Sequence, residues 1–136
     1  MAKSYWLVKS EPFKYSWDQF VKDGSTYWDG VRNAQARNNL KAMKKGDGVL
    51  YYHSNEGKEV VGVAKVTRTA YPDPTTDDER WVVVDLEPVK PLKNAVTLQA
   101  IKADEKLAKI PLVTQSRLSV MPLDKDSFDT IVKLGK

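Results

Sequence analysis

Gly48-Val49-Leu50-Tyr51-Tyr52-His53 and, after Ser54-Asn55-Glu56-Gly57-Lys58, the run Glu59-Val60-Val61-Gly62-Val63-Ala64-Lys65-Val66-Thr67-Arg68-Thr69 decide the fold. Two β-branched and aromatic runs separated by a short polar loop containing glycine spell a β-hairpin. The Tyr71-Pro72-Asp73-Pro74 segment should break it, because two prolines remove two backbone donors and restrict the residues before them. Upstream, Tyr5-Trp6-Leu7-Val8-Lys9 reads as a strand that stops at Glu11-Pro12. Ser16 and Gln19 have the spacing of a capping box, and Gly24 sits where a helix end favours a left-handed residue, so a short helix is predicted over 17–22. Tyr27-Trp28-Asp29-Gly30 reads as a turn. Asn33 then caps a second helix whose apolar positions Ala36, Leu40 and Met43 share one face, ending near Gly46.

Downstream, Trp81 to Glu87 is a strand closed by Pro88 and Pro91. Thr97 caps a helix carrying Leu98 and Ile101, and a further turn holds Leu107 and Ile110. Arg117-Leu118-Ser119-Val120 reads as the last strand. Asp124 to Leu134 reads as a terminal helix with Phe128, Ile131 and Val132 inward, ended by Gly135. About five strands and several short helices, without repeats or a doubly wound βαβ series, imply an α+β fold whose sheet curls toward a barrel to hide its edges.

The chain has 136 residues and no cysteine, so one domain over 1–136 is expected, without disulfides, a thiolate nucleophile or a cysteine zinc site. His53 is the lone histidine, which excludes a multi-histidine centre; no metal and no cofactor are expected. No apolar run approaches the roughly 20 residues of a membrane span, and the start lacks a signal-peptide core. No membrane partner is therefore expected, and the location expected is cytoplasmic.

Lys plus Arg exceed Asp plus Glu by 22 to 18, a net charge of +4. The distribution is sharper than the total: Arg32, Arg37, Lys41, Lys44 and Lys45 fall in one acid-free segment, whereas Asp77, Asp78 and Glu79 share a later loop. The basic strip suits a nucleic-acid backbone. Catalytic patterns are weak. His53 beside Ser54 and Asn55 reads as a strand-end histidine bonding locally, the acidic run as a solvated loop, and neither glycine-rich phosphate motif occurs. Trp28 stands apart, because it lies among polar and turn residues instead of an apolar run. Asn33 and Arg37, four residues apart, share a helix face near it. Rings, amides and arginine interleaved in this way fit a pocket for an extruded base, which stacks on the ring while amides read its edges.

Tyr5 to Pro12, Ser16-Trp17-Asp18-Gln19, Trp28-Asp29-Gly30-Val31-Arg32-Asn33, Ala36-Arg37-Asn38, Gly46-Asp47, Tyr52-His53-Ser54, Ala70 to Thr75 and Ser116 to Val120 together resemble the EVE domain family, which includes thymocyte nuclear protein 1-like proteins. The resemblance covers nearly the whole chain. It implies a PUA-like fold, a small curled β-barrel flanked by helices and related to the YTH domains that bind N6-methyladenine in RNA. It also implies a non-enzymatic reader of a modified base in DNA or RNA. On that likeness Trp28 walls the pocket, Lys9 and Ser10 form its floor, and Asn33, Arg37 and Asn38 lie beside it. His53, Ser54 and Asn55 form a pocket-side loop, Tyr71, Pro72 and Asp73 the opposite lip, and Gln115, Ser116 and Arg117 a further edge. Arg32, Lys41, Lys44 and Lys45 would anchor the phosphate backbone. Where many relatives carry an aromatic before Gln35 this chain has Ala34, one stacking surface fewer. The partner implied is nucleic acid carrying a modified base, with any cutting left to a separate nuclease or effector. The likeness points to a bacterial cytoplasm, or to the nucleus in a eukaryote. The rival enzyme reading is an ASCH-like amidohydrolase or nuclease using Lys9, Asp73 or His53 as base. A second rival is a pocket for a peptide or an acidic metabolite.

Overall fold

The structure, a computed structural model, describes residues 4–10, 15–28, 33–54, 58–115 and 118–136. The chain runs β1 (Tyr5–Ser10), α1 (Trp17–Asp23), β2 (Thr26–Tyr27), α2 (Ala34–Ala42), β3 (Gly48–His53), β4 (Glu59–Pro72), β5 (Val82–Thr97), α3 (Leu98–Ala103), α4 (Pro111–Thr114), β6 (Val120–Leu123) and α5 (Lys125–Leu134). The strands form one six-stranded mixed sheet in the order β2-β5-β4-β3-β1-β6. β1 and β3 are parallel and the other neighbours antiparallel. Among the described residues no ladder joins β2 to β6, so the sheet is not a closed barrel. It is an α+β arrangement of the PUA-like kind, with register shifts at four places along β4 and β5. Each such bulge bends the strands and raises their twist.

The capping residues sit where the sequence put them. Ser16 Oγ accepts the Gln19 N–H at 3.1 Å, and Gly24 closes α1 with φ 78°, a left-handed conformation that costs glycine little. Thr97 Oγ1 and Asp124 Oδ2 accept the N–H groups of Ala100 and Ser127. Five successive residues of β3, Gly48 to Tyr52, are buried, as are Trp6, Leu7 and Val8 of β1. The parallel pair is thus covered on both faces. Gly62 on β4 lies directly beneath the Trp17 indole, where any Cβ would overlap the ring.

Several boundaries differ from the sequence reading. β4 continues through Tyr71 and Pro72, and β5 through Pro88 and Pro91. Pro72 lies beyond Lys65, where the β3 pairing of β4 ends, and Pro88 and Pro91 lie beyond the β2 pairing at Asp85 and Leu86, so among the described residues these stretches have no strand on one side. Tyr27, read as the first residue of a turn, pairs with β5 together with Thr26 as β2. The last strand is Val120–Leu123 instead of 117–120. It accommodates Pro122 because it is the end strand. α2 stops at Ala42, four residues before Gly46, so Lys44 and Lys45 lie in the following turn. There Asp47, 2% exposed, gathers the N–H groups of Ser4, Trp6 (Nε1) and Lys44 at 3.1, 3.0 and 2.8 Å. Gly135 caps α5 with φ −86°, not left-handed.

Candidate nucleic-acid interface

Because β1 and β3 are parallel, with Lys9 opposite Tyr52 and Ser10 opposite His53, their C-terminal ends deliver Lys9, Ser10, His53 and Ser54 to one rim. The Ser54 N–H donates to the Ser10 carbonyl at 2.9 Å. Ser10 Oγ and the Tyr51 hydroxyl both donate to the Tyr15 carbonyl, at 2.8 and 2.6 Å. That pins Tyr15 beside Trp28, whose ring meets Tyr15 edge-on at 6.4 Å and Tyr51 at 5.4 Å. Phe20 stacks on Tyr51 at 5.3 Å and Trp17 approaches it edge-on at 5.4 Å. The indole of Trp28 is 7% exposed and packs within this aromatic cluster. The backbone N–H of Trp28 donates to the Val84 carbonyl at 2.8 Å, which ties the residue to β5. The residues that flank the cluster, 11–14 and 29–32, lie outside the described ones.

His53 Nε2 accepts the backbone N–H of Trp17 at 3.1 Å, so this hydrogen bond assigns the imidazole proton to Nδ1 and engages its lone pair in starting α1. Burial pushes its pKa below the ordinary 6.5, against the opposing pull of Glu59 and Asp18. A general base acting through Nε2 would have to give up the helix contact. Burial also lowers the Lys9 pKa below 10.5, and its Nζ stands 5.9 Å from the Tyr52 ring centroid. The Lys9 N–H donates to Ser119 O at 2.9 Å and the Leu118 N–H to Gln115 O at 3.0 Å, which brings the Gln115 edge to the same rim.

A second group forms where α2 meets the start of β5. Asn33 Oδ1 caps α2 by accepting the Ala36 N–H at 3.0 Å, so that oxygen is committed to the helix. Arg37 donates from Nε and Nη2 to Asn38 Oδ1, both at 3.3 Å. Its guanidinium lies over the Trp81 ring at 5.7 Å. The Asp73 N–H donates to the Trp81 carbonyl at 3.1 Å. The Asp73 carboxylate, 3% exposed, accepts the Thr75 N–H at 2.7 Å and also the Thr75 hydroxyl. These two bonds close the turn after β4. The Tyr71 hydroxyl donates to Asp85, and burial followed by that bond pushes its pKa up to about 12. Pro72 and Lys41 are exposed.

The sequence-derived residues thus fall into a β1–β3 rim (Lys9, Ser10, Trp28, His53, Ser54, Gln115) and an α2–β5 group (Asn33, Arg37, Asn38, Tyr71, Asp73), both leaning on β5. Arg32, Asn55, Ser116 and Arg117 lie outside the described residues. Sequence reading missed Tyr15, Tyr51 and Trp81. The adjacency of Arg80 and Trp81, a cation beside a large ring after an acidic loop, was the available signal for the last.

Comparison with known proteins gives four findings. The family model for the EVE domain matches residues 4–134. Mouse thymocyte nuclear protein 1 is 35% identical over 165 residues, covering 96% of this chain and 73% of that protein. The structure of human THYN1 protein in complex with 5-methylcytosine containing DNA superposes with a TM-score of 0.83 at 32% identity, covering 98% of each chain. A likeness in fold alone extends to the YTH domain of Zygosaccharomyces rouxii MRB1 protein in complex with N6-methyladenosine RNA. There the TM-score is 0.63 at 17% identity, with 98% of this chain and 87% of that one covered.

Proposed function

Since this chain belongs to the EVE domain family, we propose that it is a single-domain, non-enzymatic reader that takes a modified base, extruded from nucleic acid, into the β1–β3 rim. The observation that carries this reading is its similarity, over nearly all of both chains, to the human protein bound to 5-methylcytosine containing DNA. In the proposal the Trp28 edge of the aromatic cluster walls the base site and Lys9 and Ser10 form its floor. Asn33, Arg37 and Asn38 stand beside it. The His53-Ser54-Asn55 loop, the Tyr71-Pro72-Asp73 lip and the Gln115-Ser116-Arg117 edge frame it, and Arg32, Lys41, Lys44 and Lys45 hold phosphates. A stacked base is worth about 1–3 kcal/mol on such a ring. A cytoplasmic location and a separate effector belong to the same proposal.

The engagement of His53 Nε2 and of the Asp73 carboxylate in backbone contacts supports a reader over an acid–base enzyme. The test is a titration of paired oligonucleotides, with and without the modified base, at stated salt. Trp28→Phe and Lys9→Met should reduce the preference for the modified strand while circular dichroism confirms the fold. Preference unchanged in both variants would remove this rim from the site. Release of a new base or nucleoside mass on incubation would overturn the non-enzymatic reading.

A further inference from the structure

Outside the residues assigned to the base site, Trp81 has a half-buried ring over which, among the described residues, two guanidinium groups lie. Arg37 reaches it from α2 at 5.7 Å and Arg80 from the neighbouring position at 5.6 Å. The two arginines differ in what else they touch. Arg80, with 71% of its side chain exposed, is held by Asp78 at 2.7 Å, and that carboxylate balances its charge. Among the described residues Arg37 has no acidic partner. Asn38 Oδ1 takes its Nε and Nη2 groups. No hydrogen bond from the Nη1 edge occurs among the described residues.

A guanidinium on an exposed helix normally samples many rotamers. Here the indole face on one side and Asn38 on the other limit it, which lowers the ordering cost of meeting an anion. The neutralised Arg80, with Asp77 and Glu79 exposed in the same turn, makes the loop itself a poor anion contact. The open cation of this group is therefore on α2, where Lys41 follows one turn on.

We infer that Trp81 is a positioning residue for a phosphate contact: the indole and Asn38 hold Arg37 so that its Nη1 edge meets a backbone phosphate beside the extruded nucleotide. This rests on the proposed reader function. It moves Asn38 from reading the base edge to holding Arg37 for the strand.

The experiment measures binding of a short duplex carrying one 5-methylcytosine and of its unmethylated twin across a salt series. Arg37→Ala should reduce the steepness of log K against log salt by about 0.9, the value for one lost phosphate contact. Trp81→Leu, which keeps the charge, should weaken both duplexes by the same factor, about three- to fivefold. Trp81→Phe should restore most of that loss. Trp81→Leu should add nothing to Arg37→Ala. Full additivity of the two, or an unaltered slope in Arg37→Ala, would overturn the inference, as would a Trp81→Leu loss confined to the methylated duplex. Equal wild-type binding of the two duplexes would overturn the modified-base reading while leaving the Arg37–Trp81 coupling measurable. Absence of binding to either would overturn both.

Discussion

Replacing Asp47 by alanine should cost about 3–5 kcal/mol of stability, a large share of the roughly 5–15 kcal/mol typical of a domain. The carboxylate is 2% exposed and accepts three N–H groups: Ser4 at 3.1 Å, the Trp6 indole at 3.0 Å and Lys44 at 2.8 Å. Trp6 is 6% exposed, so its orphaned indole N–H would lose about 1–3 kcal/mol. The two backbone N–H groups are partly buried; they recover some hydration and lose about 1 kcal/mol each. Urea unfolding followed by far-ultraviolet circular dichroism measures the loss, with an unchanged m-value showing that the same surface is exposed. Trp6→Phe in the same chain removes the orphan donor, so the double variant should be about 1–2 kcal/mol more stable than the sum of the single losses. A loss below about 1 kcal/mol, or strict additivity, would refute the view that Asp47 pins β1 to the turn before β3.

Three further outcomes follow from particular contacts. The His53 pKa lies below 6.5 in the fold, so between 6.5 and the folded value the unfolded chain binds more protons. Stability should therefore be full above pH 6.5 and fall as the pH drops toward the folded pKa; an NMR titration midpoint at or above 6.5 would contradict this. Gly62→Ala should cost about 1–3 kcal/mol by driving a methyl into the Trp17 ring, and Trp17→Leu in the same chain should recover part of it, read by thermal melting. Asn33→Ala should cost about 1 kcal/mol through the lost α2 cap, and a melting temperature equal to wild type would show that the cap contributes nothing.

The helices and most strands were legible because their signals are local. Ser16, Asn33, Thr97 and Asp124 each accept the backbone N–H three residues on, a geometry written in the sequence spacing. The β-branched and aromatic runs on either side of the polar loop within Gly48–Thr69 likewise marked β3 and β4. Proline misled the reading of β4 and β5, because its missing donor matters only on a side where another strand sits, and chain order does not say which sides are open. The two-residue β2 carried no periodicity at all.

At the site, the residue types were readable and their employment was not. The sequence alone determined that rings, amides and arginines gather in the first third of the chain and that the charge is polarised. Only the fold decided that the Asn33 oxygen serves its own helix, that the Asp73 carboxylate closes its own turn, and that Trp81 stands against Arg37. A hydrogen bond or ring contact between distant positions depends on how β1, β3 and β5 are laid side by side. Burial then requires each polar group to find partners within the protein, a choice made by three-dimensional proximity that no local pattern encodes.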